Sequence, residues 1–266
     1  MMMKSIYTRT LYDKRWFALG WMVSFFALAA LLVAFFPSMK QDGSLDQFVM
    51  SLPPAFQGFV GDLANLKSFA PYLASQLFDI RMQIIGGIMA VVLAISLTVG
   101  EEYTGQFRSV LSLPVSRGKL LLQKWLAMVT IIGAIVLSSA LGVLATQFTI
   151  GESVPIGALL RLEVMSWLLM VALASIPFAV AMATGKKALA TLVGTVVVAV
   201  SFIVTTFALG VEWLKDYEKL SVFYYFPAVS VVKEGIALSD VAVLLAIALV
   251  PLVVSFFLFR RRDVEA

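Results

Sequence analysis

The sequence contains no cysteine and no histidine. Disulfides and thiol chemistry are therefore excluded, and so are the usual zinc sites, Ser-His-Asp triads and histidine proton relays, which weakens any membrane-enzyme reading. Nor does it contain a G-x-x-x-x-G-K-[ST] run, whose backbone amides cradle nucleotide phosphates, so no ATP site of that kind is expected here. Charge is scarce: 14% of residues are Asp, Glu, Lys or Arg, where soluble domains carry about 25%. The first apolar run is too long for the core of a signal peptide and lacks a convincing small-x-small cleavage site, so it is expected to stay as a signal anchor.

What the sequence has in abundance is apolar length. Hydrophobic residues make up 61% of the chain, and mean hydropathy is +0.97. Six runs, at about 17–36, 82–100, 125–148, 164–184, 188–210 and 241–259, are long enough to cross a hydrocarbon layer of about 30 Å. None contains Lys, Arg, Asp or Glu. The expected fold is all-α: one transmembrane domain, residues 1–266, with six membrane helices. Ion-coupled carriers and pumps generally need a buried carboxylate, histidine or lysine. No such group falls near the centre of a run, and Glu163 stands at the outer edge of the fourth.

Basic residues give the orientation. Lys4, Arg9, Lys14 and Arg15 precede the first run; Arg108, Arg117, Lys119 and Lys124 lie between the second and third; Lys186 and Lys187 separate the fourth and fifth; Arg260, Arg261 and Arg262 follow the sixth. That places 13 of the 20 Lys and Arg on one side, so both termini are expected in the cytoplasm of a plasma-membrane protein. The net charge of +4 and pI of 9.3 then report topology and contact with anionic lipid, not nucleic-acid binding.

The polar segments have distinct characters. Residues 4–16 mix Ile6, Tyr7, Leu11 and Trp16 with basic side chains, as in a helix lying in the membrane interface. In the first outer loop, Ser44 and Gln47 fit a capping box for a short helix broken at Pro53-Pro54. From Ser68, the residues Phe69, Tyr72, Leu73, Leu77 and Ile80 recur at helical spacing in an amphipathic segment that leads into the second run, and the whole outer loop 37–81 is expected to form an external cap resting on the bilayer. The uncharged run 222–232, interrupted by Pro227, is too short to span and too apolar for water, so a re-entrant or interfacial hairpin is expected there.

Within the runs, small residues four apart mark helix contacts: Gly86 and Ala90, Ser138 and Gly142, Ser175 with Ala179 and Ala183, and Ala190 with Gly194. Pro177 and Pro251 permit kinks. Hydroxyls are sparse, and such groups usually bond back to their own helix or across to a neighbour.

Residues 101–124, E-E-Y-T-G-Q-F-R-S-V-L-S-L-P-V-S-R-G-K-L-L-L-Q-K, form a charged island between the second and third runs. Composition predicts a helix to Leu113, a stop at Pro114 and a new helix capped by Ser116. Such an elbow suits docking of a soluble partner; the plain alternative is a solvated loop. The six-run plan, the interfacial segment, the E-E-x-x-G-x-x-x-x-x-L-x-L-P-x-S-R island and the apolar segment before the sixth run together resemble the membrane subunits of type-2 ABC exporters. That resemblance implies a cytoplasmic coupling helix seated on a separate ATP-binding cassette ATPase. The contact residues would be Glu101, Glu102, Gly105, Phe107, Arg108, Leu111, Leu113, Pro114 and Arg117. It also implies a dimer with a second permease copy or a homologue, and a substrate pathway lined by the second and fifth runs. Candidate lining residues are Met89, Ser96, Thr191, Thr195, Ser201 and Thr205. ATP and Mg would be held by the partner, with no cofactor or metal on this chain and no catalysis by it. The alternative is a secondary transporter or channel, which would call for an intramembrane charge or an internal repeat.

Overall fold

The computed structural model describes residues 5–41, 68–103, 116–208 and 210–261, and every regular element among them is helical. Helix α1 (Ile6–Asp13) is capped by Ser5, whose Oγ accepts from the Thr8 amide. At Lys14 the chain leaves helical geometry for one residue and starts α2 (Arg15–Gln41). The next described stretch is continuous from Phe69 to Glu102 and is built of α3 (Phe69–Leu73), a π-helical segment (Ala74–Met82), α4 (Gln83–Leu97) and α5 (Val99–Tyr103). Then come α6 (Arg117–Thr146), α7 (Ile156–Thr184) and α8 (Lys187–Phe207). Two short helices, α9 (Glu212–Lys215) and α10 (Ala228–Lys233), precede α11 (Leu238–Arg261).

Six stretches are long and apolar enough to cross a membrane: Arg15–Met39, Phe69–Glu102, Arg117–Ile150, Ile156–Thr184, Lys187–Phe207 and Leu238–Phe259. Two helices start ahead of their apolar runs, one at a serine cap and one at a proline. Ser116 sits in extended conformation and its Oγ accepts from the Lys119 amide at 3.4 Å, as its capping role requires. The carbonyl of Pro155 receives the amides of Ala158 and Leu159, starting α7 well before the apolar run begins at 164. Gly185, at φ 68°, ends α7 in the left-handed conformation that glycine adopts without strain, leaving two residues before α8.

The bundle has an inside and an outside. In the most apolar window of each span, 78% of the fourth, 72% of the second and 61% of the third is buried, against 28%, 22% and 17% for the first, fifth and sixth. Helix α7 is the hub, packed on α11, α4, α8 and α6, while α2 and α1 lie on the other flank of α6. The small residues are consumed by these contacts. Gly142 of α6 lets the α2 backbone approach so closely that a Cβ there would stand 2.5 Å from the Phe26 carbonyl oxygen. Gly194 of α8 rests on Pro177 of α7 and Val91 of α4, and Gly86 faces Met170.

The segment after Ser68 leads into the second span as its spacing predicts, but its place in the bundle differs from expectation. It is not a cap resting on the bilayer but a direct extension of the second span, with Phe69, Tyr72, Leu73 and Leu77 buried. Phe36 of α2 stacks on Phe69 and Tyr72 with ring centroids 5.1 and 5.0 Å apart, and the Tyr72 hydroxyl donates to the Leu32 carbonyl. The nine-residue π-helical stretch, with hydrogen bonds one residue longer than in an α-helix, shifts the face. Phe78 and Met82 are thereby buried, while Ile80, which helical spacing put on the buried face, is only partly covered. The capping box at Ser44 and Gln47 and the Pro53-Pro54 break lie outside the described residues.

Candidate functional site

Two polar regions sit at opposite ends of the bundle. At the end bearing α1, the second span breaks at Thr98, whose backbone (φ −116°, ψ −105°) leaves the helix before α5 resumes. The break frees carbonyls, and two lysines take them. Lys14, from the α1–α2 junction, donates to Ser96 at 3.1 Å; Lys124 of α6 donates to Leu97 at 2.7 Å. Lys124 also forms an ion pair with Glu101, and its side chain is wholly buried. A buried ammonium costs several kcal/mol unless it is paired and hydrogen-bonded, and here it is both. The root of the charged island is therefore fastened to the second and third spans together.

Of the residues predicted to meet an ATPase, Glu101, Glu102 and Arg117 are described, and Gly105, Phe107, Arg108, Leu111, Leu113 and Pro114 lie outside the described residues. Glu101 turns inward to Lys124. Arg117 donates to the Phe259 carbonyl at 3.3 Å and lies 5.9 Å from the Phe259 ring, joining the start of α6 to the end of α11. Helix α1 lies on α6: the Tyr7 amide donates to Gln123 Oε1 at 3.3 Å, and the Tyr7 hydroxyl bonds Thr130 at 3.0 Å. Tyr12 and Trp16 remain exposed beside Arg15, whose guanidinium stands 3.7 Å from the Tyr12 ring centroid.

The candidate pathway residues separate. Ser96 and Thr191 come together in a cavity of about 490 Å³ between α4 and α8, walled by Val91, Val92 and Ile95, with Lys14, Lys187 and Glu101 at its polar side. Thr195 is on the exposed face of α8, one turn beyond Thr191, and Met89 is fully buried inside the bundle. Ser201 and Thr205 are engaged at the far end. Ser221 Oγ donates to the Ser201 carbonyl at 2.9 Å and lies 2.6 Å from Thr205 Oγ1, and the Val222 amide donates to Ser201 Oγ.

That bond set begins a strap. After Ser221 come a 3-10 turn (Phe223–Tyr225), Pro227 and α10, with Phe223, Phe226, Ala228 and Val231 buried. The strap's other end is tied to the second span: the Ala228 amide donates to Asp79 at 2.7 Å, and Gln83 Nε2 donates to the Phe226 carbonyl at 3.1 Å. It therefore links the fifth span to the second.

Two buried ionisable residues escaped the sequence reading, Lys124 as a member of a polar loop and Glu163 as a group at a span's edge. Glu163 lies seven residues into α7, about 10 Å from its start at 1.5 Å per residue, and accepts from Ser139 of α6 at 2.8 Å. A signal was present for both. Leu120, Leu121, Lys124, Ala127, Met128 and Ile131 form one buried stripe at helical spacing, as do Leu159, Leu162, Glu163, Ser166 and Met170.

The family comparison agrees with this architecture. The family model described as ABC-2 family transporter protein matches residues 8–264. The chain belongs to that family of membrane transport components. No curated protein matches it.

Proposed function

We propose that this chain is the transmembrane subunit of an ATP-driven exporter, that it forms the substrate pathway as a dimer with a second copy or a homologue, and that a separate ATP-binding cassette ATPase drives it. The orientation proposed is the one read from the basic residues, with both termini in the cytoplasm of a plasma-membrane protein. ATP and Mg would be bound by the ATPase, and the chain itself performs no chemistry on the substrate.

The observation that carries this reading is the anchored root of the charged island. A force on residues 104–115 enters the bundle through Glu101 and Ser116. Glu101 is tied by Lys124 to both α6 and the broken end of α4, so movement of a docked ATPase would be delivered to the second and third spans at once. Met89, Ser96, Thr191, Thr195, Ser201 and Thr205 stay proposed as lining residues, with Ser96 and Thr191 nearest the proposed ATPase. The test is co-expression with a cassette ATPase: the two should co-purify, with ATP hydrolysis in the complex and none in the isolated chain. Intrinsic hydrolysis by this chain alone would overturn the assignment.

A carrier driven by an ion gradient is the second reading, and one observation favours it: Glu163 is a carboxyl group buried within a membrane helix. Glu163→Gln would abolish gradient-driven transport under that reading and leave ATP-driven export intact under the first.

A further inference from the structure

The cavity between α4 and α8 has a composition that the pathway reading does not explain. One wall is hydrocarbon, from Val91, Val92 and Ile95, and Val92 is 46% exposed. Lys14 and Lys187 line the same cavity. Glu101, the carboxylate at this cavity, is already paired with the buried Lys124. Lys14 spends one of its three protons on the Ser96 carbonyl, and neither Lys14 nor Lys187 is ion-paired among the described residues. A second hollow, of about 480 Å³, adjoins Lys187 on the other side of the α8 start and again sets lysine beside aliphatic side chains, Lys186 with Leu189 and Leu192. Both lie at the end of the bundle where α5 and the start of α6 stand, which the proposed orientation sets at the depth of lipid headgroups. An aqueous ion has no use for the valine wall, and a neutral hydrocarbon leaves two cations without a counter-charge.

We propose that the α4–α8 cavity binds a membrane amphiphile with an acidic headgroup, its anionic group between Lys14 and Lys187 and its chain against Val91, Val92 and Ile95, and that such amphiphiles are the class of substrate that enters here. The binding claim stands on the cavity; the substrate claim rests on the exporter reading. Basic pockets at this depth recognise anionic headgroups through the same ammonium groups that draw polybasic segments to anionic leaflets, with a contribution of about 1 kcal/mol per lysine. Net charge at the cavity thus selects among lipids, and the apolar wall selects against soluble anions.

The test uses the full-length chain in nanodiscs containing phosphatidylcholine and phosphatidylglycerol, with the lipid retained after mild extraction identified by native mass spectrometry. Wild type is expected to retain phosphatidylglycerol over phosphatidylcholine. Lys187→Gln should weaken that retention about fivefold and Lys187→Glu further. Lys187→Arg should keep it, and Thr191→Trp, which fills the cavity, should remove it without changing the charge. Added glycerol phosphate should not compete. Equal retention of both lipids, indifference to Lys187→Glu and Thr191→Trp, or displacement by glycerol phosphate would each overturn the proposal. So would a change in oligomeric state in those variants with lipid retention unaltered, which would mean that a second copy of this chain covers the cavity. The two readings fail separately. Retention without ATPase coupling sinks only the exporter reading, and coupling without selective retention sinks only this one.

Discussion

Lys124 is the residue on which the proposed inner end turns. It is wholly buried, yet its ammonium has the Leu97 carbonyl and the Glu101 carboxylate as partners. Removing one member of such a pair leaves an uncompensated charge, which costs about 3–5 kcal/mol, whereas exchanging both members for neutral groups is often far cheaper. Lys124→Met is therefore expected to lower the unfolding midpoint of the detergent-solubilised protein sharply. Lys124→Met combined with Glu101→Gln should recover part of the loss, and strictly additive effects in that cycle would show that the pair is not coupled. Glu101 for this reason tests partner docking poorly, because a substitution there also disturbs the fold.

At the scale of elements, close approach and the strap each make a prediction. The α2–α6 crossing depends on the missing side chain of Gly142, since the atom a Cβ would meet is the Phe26 backbone oxygen and cannot rotate away. Gly142→Val should cost about 1–3 kcal/mol through helix displacement, read as a loss of thermal stability. Gly20→Ala, at a glycine with nothing within 4 Å, should be neutral. At the far end, the π-helical segment brings Asp79 to the first amides of α10 while Ser221 holds Ser201 and Thr205. A hydrogen bond contributes about 0.5–1.5 kcal/mol, and about 1.5–3 where the acceptor is ionised. Asp79→Ala should therefore raise amide exchange across residues 226–232 by one to two orders of magnitude while leaving α6 and α7 protected. Unchanged exchange there would show that apolar burial of Phe226 and Val231 alone holds the strap.

For the whole molecule, three inner spans form the core and three outer ones present apolar faces. Leu192, Val196, Val200 and Ile203 recur along the exposed side of α8, a surface that lipid or a second permease must cover. Reporter fusions after Gly118 and Lys187 are expected to read cytoplasmic and one after Tyr217 external, as the distribution of Lys and Arg requires. An external reading at Gly118 would remove the ATPase-docking proposal altogether. If the charged island meets an ATPase, Glu102→Lys or Arg108→Glu sets like charges opposite one another, which costs several kcal/mol at an interface. The expected result is a normally inserted protein that no longer co-purifies with, or no longer couples to, its ATPase. Retained complex formation and transport would make the island a solvated loop.

The all-helical class, the count of six spans and the cap at Ser116 were legible in the sequence because each is a local property. Apolar length against bilayer thickness gives the spans, and a side-chain oxygen next to free amides gives the cap. Family membership was legible for a related reason: the island and the spacing of the runs are linear patterns. What folding alone decided is which faces meet. Nothing local says that Gly142 serves the first span, or that the residues after Ser68 enter the bundle instead of lying on it. The π-helical register that brings Asp79 to the strap and the union of Ser96 with Thr191 beside two lysines likewise depend on contacts between distant segments. Lys124 shows the boundary between the two. Its stripe is visible in the sequence, but a charge on an apolar stripe is tolerable only if partners are in reach, and those partners, Glu101 and the freed Leu97 carbonyl, are 23 and 27 residues away and adjacent only after the second and third spans have packed.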